Sequence, residues 1–200
     1  MASAEEAAAA IQAGGLAIVP MDTVYGLVAS PHAEAPVRRL YQAKGREELQ
    51  PTALVAADLD VLVECVPELR GRAEAIARAL LPGPYTLIVP NPAGRFAWLT
   101  GSRPETLGVR VPDLSGPGAD VLSRSGALAA TSANLPGQPD PRTLAEIPEE
   151  LRARVDALVD GGELPGTPST VLDVTGPEPL VLREGFGSSA DALRVIGAVL

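Results

Sequence analysis

Six short polar clusters interrupt an otherwise apolar chain: Asp22-Thr23, Lys44-Gly45-Arg46, Arg110, Thr131-Ser132-Ala133-Asn134, Ser169-Thr170 and Arg183-Glu184. Each lies at the end of a hydrophobic run, where a carboxylate, ammonium or hydroxyl is costly to bury without a partner. In a mixed α/β sheet such positions converge at one edge, where ligands usually bind. The set contains Lys and Arg for anionic oxygens, and hydroxyls and an amide for directional hydrogen bonds, but no evident nucleophile. It suits holding a nucleoside triphosphate and a small carboxylate while they react with each other. Taken singly, each cluster also has a plain structural reading. Lys44 and Arg46 would be a solvated helix end, Arg110 a partner for Asp113, and Ser132 and Asn134 turn residues.

Several common chemistries find no support. There is no G-x-x-x-x-G-K-[ST] loop and no Cys/His metal spacing, so no protein-held metal site is expected. GFGSSA (185–190) formally fits a dinucleotide fingerprint but sits too near the C-terminus, and reads better as a helix start capped by Ser188. His32, the only histidine, lies in a turn with no nucleophile motif nearby, which argues against a serine-hydrolase triad. Cys65, in VLVECV, reads as an inert apolar thiol. The net charge of −9 speaks against broad electrostatic capture of nucleic acid. Lys44 is the only lysine among 16 basic residues, and lysine and arginine are not interchangeable at phosphate sites.

The elements that must position these clusters follow from periodicity. Residues 3–13 read as a helix with Glu5 and Glu6 in its first turn, stopped by Gly14-Gly15. LAIVP (16–20) reads as a strand, after which PMDTVYGL is expected to leave the core and line a cleft. A helix is expected over 35–43, a strand over 52–57, helices over 58–65 and 68–80, and strands over 85–90 and 106–112. A helix near 117–124 and a strand over 127–131 follow, then the turn-rich SANLPGQPDPRT (132–143). Short helices near 143–154, a strand over 155–160, a hairpin of 169–175 with 179–185, and a helix from about Ser188 to Val199 complete the chain. Twenty Gly and twenty Pro favour many short elements, and the interleaving implies a mixed α/β sheet in one domain, residues 1–200. MASAEEAAAA is acidic, and no apolar run is long enough to span a bilayer, so a soluble cytoplasmic protein without membrane partners is expected.

In order along the chain, VPMDTVYGL (19–27), AKGRE (43–47), LPGPYTLIVP (81–90), TLGVRVPD (106–113), ATSANLPGQPDP (130–141), PSTVLD (168–173) and VLREG (181–185) resemble the YrdC/YciO family. That resemblance implies an α+β fold with a twisted mixed sheet, surrounding helices and a large open cleft. It also implies a reaction, in which L-threonine, bicarbonate and ATP give threonylcarbamoyl-AMP and pyrophosphate, with Mg2+ on the phosphates. A threonylcarbamoyl-transferase complex would then modify tRNA. The family's Lys-x-Arg and Ser-x-Asn set falls on Lys44, Arg46, Ser132 and Asn134. By the same resemblance Lys44, Arg46, Thr106, Asn134, Arg142 and Arg183 would hold ATP, and Thr23, Arg110, Ser132 and Ser169 would hold threonine. The chain departs from the family pattern at Met21, where a threonine is usual, at Glu47, usually proline, at Val55, near a histidine found in some members, and at Pro136, which replaces a serine. Two other readings stay open: a YciO-type double-stranded RNA-binding protein without this activity, and a relative that activates another carbamate.

Overall fold

The computed structural model describes residues 1–45 and 49–199. Among these the strands are β1 (Leu16–Pro20), β2 (Tyr25–Ala29), β3 (Ala53–Ala56), β4 (Tyr85–Pro90), β5 (Thr106–Arg110), β6 (Ala127–Ser132), β7 (Ala157–Leu158), β8 (Thr170–Asp173) and β9 (Leu180–Arg183). The helices are α1 (Ala4–Gln12), α2 (Glu34–Lys44), α3 (Leu59–Cys65), α4 (Gly71–Leu80), α5 (Gly116–Ser125), α6 (Glu149–Arg152) and α7 (Ser189–Val199). The strands form one sheet in the order β7-β1-β2-β6-β3-β5-β4-β8-β9. Pairs β1–β7, β3–β5 and β4–β8 are parallel, and the other five pairs are antiparallel, so the sheet is mixed as its composition implies.

Side chains alternate across a strand, so each strand presents two faces. On one face Leu54, Leu87, Val109, Ala129 and Leu172 pack with residues of α2, α3, α4 and α7. Leu16, Ile18, Tyr25 and Leu27 pack against Leu40 and Ala43 of α2, which continues the same layer. The opposite face is only half covered. There Ala17, Val19, Val28, Val55 and Leu128 lie under Ala7 and Ile11 of α1 and Val121 and Leu122 of α5. Beyond α5 the same face of β3, β5, β4 and β8 carries Ala53, Gly108, Thr86, Ile88 and Val171, and these line a cleft instead of underlying a helix.

One glycine fixes how α5 meets the sheet. A Cβ on Gly118 would stand 2.0 Å from the Pro20 carbonyl oxygen. Replacing a helical glycine by alanine ordinarily stabilises by about 0.5–1 kcal/mol. Here overpacking, worth about 1–3 kcal/mol, opposes that gain and exceeds it. Gly118→Ala is therefore expected to lower the melting temperature, by about 2–4 °C for each kcal/mol of net loss in a chain of this size; a raised melting temperature would contradict the close approach.

Three sequence expectations change. The run after β1 holds a second strand: Pro20 pairs with Tyr25 across a tight turn closed by Met21 N–H donating to Val24 O at 3.2 Å. Only Ala157 and Leu158 of VDALVD join the sheet. The Asp156 carboxylate instead accepts from Leu16 N, and Asp160 accepts from the Tyr25 hydroxyl. The helix expected from residue 68 begins at Gly71. Ser188 caps the last helix through Asp191 N as its position suggests, and His32 makes a tilted ring contact with Phe96. Cys65 is half-buried, and loss of hydration raises its thiol pKa, in keeping with an inert role. Among the described residues no helix is long and apolar enough to cross a membrane.

Candidate active site

The uncovered half-face forms the floor of a cleft of about 280 Å³. Its floor is built from small residues, Gly26, Ala53, Gly108 and Ala130, which leave the backbone accessible, while basic groups rise from its walls. Three polar centres converge there, each delivered by a different element.

Lys44 forms the first. It ends α2, and Gly45 follows at φ 64°, the left-handed C-terminal position where glycine is least strained. The helix thus stops with the ammonium turned inward, only 5% exposed. Its Nζ donates to the Ser132 carbonyl, to Ser132 Oγ at 3.2 Å and to Asn134 Oδ1 at 2.9 Å. Ser132 ends β6, and Ala133 N–H donates to Tyr25 O, so the loop leaves the sheet in a fixed direction. Ser132 Oγ donates to Asn134 Oδ1 at 2.6 Å, while Asn134 Nδ2 donates to Gln138 O at 2.6 Å.

Arg110 and Asp22 form the second centre. Arg110 ends β5, and its Nη2 donates to Asp22 Oδ1 and to Thr23 Oγ1 at 3.1 Å. Their side chains are 10% and 9% exposed, so this is a buried ion pair. Its satisfaction is incomplete, because Arg110 Nε and Asp22 Oδ2 make no hydrogen bond. Burial raises the Asp22 pKa; the Arg110 charge, and more weakly nearby backbone amides, pull it down, but burial prevails.

Ser169 and Arg183 form the third. The Ser169 and Thr86 hydroxyls are 2.8 Å apart and share a hydrogen bond. Arg183, on β9, donates through Nε and Nη2 to Ser169 O at 3.1 and 2.7 Å. Loss of hydration lowers the Arg183 pKa, Asp140 opposes that, and the like charge of Arg110 adds to it. The two guanidinium groups therefore sense one another, and the cleft concentrates positive charge in a chain of net charge −9. A segment from β7 brings Ser169 to the rim. Tyr25 OH accepts from Gly161 N at 3.0 Å and donates to Gly162 O at 2.7 Å, and Gly166 N donates to Thr23 O.

The Sua5/YciO/YrdC sequence model, described as telomere recombination, matches residues 9–185. The chain belongs to this family. It is 33% identical over 196 residues to the threonylcarbamoyl-AMP synthase of Pyrococcus abyssi, covering 96% of this chain and 57% of that protein. The chain thus spans little more than half the length of that relative. The crystal structure of P. abyssi Sua5 complexed with L-threonine superposes with a TM-score of 0.88 at 33% identity, covering 98% of this chain and 58% of that one. E. coli YciO superposes with a TM-score of 0.81 at 28% identity, covering 92% of this chain and 90% of that one.

Within this family member the structure gathers most of the residues expected to form the site. Lys44, Ser132 and Asn134 form one hydrogen-bonded group, and Arg110, Ser132, Ser169 and Arg183 line the cleft. Arg46 and Glu47 lie outside the described residues. Thr23 and Asp22 are buried beside Arg110 instead of lining the cleft; Met21, Val24 and Gly26 line it in their stead. Arg110 accordingly pairs with Asp22, not with Asp113. Thr106 lies at the far end of β5, outside the cleft lining, and its hydroxyl donates to Arg103 O. Arg142 also stands outside it, exposed and paired with Glu163 at 2.7 Å, where it braces the segment that carries Ser169. Thr86 and Thr52 are cleft residues not singled out by sequence reasoning. Alternation of Thr86 with the core residue Leu87 was the available signal for the first; nothing in the sequence marked the second.

Proposed function

We propose that the cleft adenylates the carbamate of an amino acid, using L-threonine, bicarbonate and ATP to give threonylcarbamoyl-AMP, pyrophosphate and the water released when the amine and bicarbonate form the carbamate. The observation that carries this reading is the convergence of Arg110 and Arg183 on one small-floored cleft, beside the Ser132 and Ser169 hydroxyls, with Lys44 bonded to Ser132 behind the lining. The name of the P. abyssi relative and the threonine bound to its structure support it. A carbamate, a carboxylate and a triphosphate repel one another, so a catalyst must first offset charge and then align the reacting atoms.

The roles are those that the family resemblance implies, and placement in the cleft supports several of them. The amino-acid carboxylate would pair with Arg110, which already accommodates one carboxylate, and Ser169 would fix the ligand near it. Lys44, with Arg46 as its expected companion, would take phosphate oxygens. Arg183 and Asn134 would hold the nucleotide, and Thr23 would act through Arg110. A carbamate oxygen attacks the α-phosphorus, the new P–O bond forms, and the bond to the β-phosphate oxygen breaks as pyrophosphate leaves. Positive charge fixed in place stabilises the added negative charge without a covalent intermediate on the protein. Among the described residues no three acidic, His or Cys side chains gather into a metal cage, so Mg2+ would travel on the triphosphate oxygens. The product is a mixed anhydride suited to transfer onto tRNA by a downstream complex, a reaction we place in the cytoplasm.

Pyrophosphate measured from the protein with ATP, Mg2+ and bicarbonate, with and without an amino acid, tests the reading. Amino-acid-dependent release is the expected result. Absence of release in every mixture, together with salt-sensitive binding of double-stranded RNA, would overturn it in favour of an RNA-binding role.

A further inference from the structure

Buried polar atoms in folded proteins nearly always have a hydrogen-bond partner, so a buried hydroxyl without one needs a reason. Five side-chain atoms among the described residues are buried and lack a partner: Asp22 Oδ2, Arg110 Nε, Thr52 Oγ1, Ser125 Oγ and Arg152 Nε. Of these residues, Arg110 and Thr52 line the cleft. Arg110 still has a charged partner in Asp22, whereas the protein supplies the Thr52 hydroxyl with no acceptor.

Thr52 is 3% exposed and directly precedes β3. Its backbone is held firmly. Thr52 N–H donates to Leu99 O at 2.9 Å, and Ser102 N–H donates to Leu49 O at 3.0 Å. A Cβ on Gly101 would stand 2.7 Å from Pro51 N, so the loop after β4 lies directly against the segment entering the strand. A β-branched side chain on so fixed a backbone has few rotamers, and its hydroxyl is preorganised.

The register shows which end of the cleft this hydroxyl serves. Ala53 pairs with Ala130 of β6, and Ser132, two residues further along β6, bonds Lys44 and Asn134. Because β3 and β6 are antiparallel, the step from Ala53 back to Thr52 leads toward Ser132. Val55, the register partner of Arg110, lies three residues the other way, about 10 Å along an extended chain.

We infer that the Thr52 hydroxyl donates a hydrogen bond to a phosphate oxygen of the bound nucleotide. The inference rests on the reading that Lys44 and Ser132 mark the phosphate end of a nucleotide cleft. A hydroxyl can donate or accept, but an ionised phosphate only accepts, so Thr52 is the donor. A phosphate oxygen would relieve the cost of a buried, unpaired donor and make a charge-assisted bond with it.

Calorimetric titration with Mg2+ and an ATP analogue carrying a methylene group between its α- and β-phosphorus atoms tests this without turnover. Thr52→Val keeps the shape and deletes the donor; it should weaken binding by about ten- to a hundredfold, and Thr52→Ser should restore most of the affinity. Unliganded Thr52→Val should melt at or above the temperature of the parent protein, since a methyl group replaces an unsatisfied hydroxyl. A purely structural hydroxyl would give the opposite pattern. Unchanged affinity in folded Thr52→Val, or a lowered melting temperature, overturns the inference. Phosphorus NMR of the bound analogue locates the contact: a resonance displaced in Thr52→Val and restored in Thr52→Ser is expected. Weakened binding with every resonance unmoved would put the contact on the ribose or base and overturn the phosphate assignment. Pyrophosphate release from ATP separates this inference from the proposed reaction. The expected loss of affinity in a protein that releases no pyrophosphate would keep the Thr52 contact and remove the reaction. Release unimpaired by Thr52→Val at subsaturating ATP would keep the reaction and remove the contact. Failure of the parent protein to bind the analogue would remove both.

Discussion

Lys44→Ala is expected to cut pyrophosphate release by about a hundredfold or more, the effect of deleting one preorganised charge from a site proposed to work by charge stabilisation. The ammonium is buried at the end of α2 and held by the Ser132 carbonyl, Ser132 Oγ and Asn134 Oδ1, so its charge is fixed in place, and a phosphate oxygen would replace one of these three acceptors. The loss should fall on kcat. On the proposed assignment the amino acid is held by Arg110, so its affinity should change little in the calorimeter. Removing Lys44 leaves Ser132 and Asn134 still bonded to one another, so the loop need not collapse. Lys44→Met, which refills most of the volume, should show the same kinetic defect with a melting temperature near that of the parent protein. Lys44→Arg should not rescue it, because a planar fork cannot replace a compact ammonium packed against three oxygens. Unchanged turnover in a folded Lys44→Ala protein would show that the phosphates lie elsewhere.

The frame of this protein was legible because its strands announce themselves through alternation. Leu54, Leu87, Val109 and Leu172 face the helical layer, and their neighbours Ala53, Thr86, Gly108 and Val171 face the cleft. A period of two is visible in a sequence; partnership is not. Asp22 illustrates the gap. Its position beside Thr23 suggested a polar lining, but the structure buries it against Arg110, which is 88 residues away. Asp113 was the nearer candidate by sequence, and only the folded-back turn after β1 decides between them. β2 was missed for a related reason. The turn Met21–Val24 lacks the Asn-Gly or Asp-Gly signal that marks short hairpins, so Asp22-Thr23 read as a break in an apolar stretch and not as a reversal. Arg142, just past the stretch ending at residue 141, and Thr106, inside a matching motif, show the converse: position in the sequence says nothing about where their side chains are engaged, with Glu163 and Arg103 respectively.

Asp22→Ala is expected to destabilise the fold by about 3–5 kcal/mol, the cost of stranding one member of a buried ion pair, and to lower the melting temperature by about 10 °C. The pair itself contributes much less. Burial raises the Asp22 pKa in spite of Arg110, so desolvation of this carboxylate costs more than the guanidinium returns. Because the folded-state pKa lies above the unfolded one, the associated stability is fully present below the ordinary aspartate range and is lost as pH rises through the raised value. Asp22→Asn should remove that dependence while retaining an acceptor for Arg110, and should therefore cost less than alanine. Two further results separate an unpaired charge from a simple cavity. Adding Arg110→Met to Asp22→Ala should recover much of the lost stability, since the remaining charge is then gone. Acetate should raise the melting temperature of Asp22→Ala more than that of the parent protein, because a small carboxylate can take the vacated place beside Arg110. A cavity alone would respond to neither. Equal response to acetate in both proteins would mean that Arg110 is satisfied without Asp22, and the carboxylate site assigned to it would have to be moved.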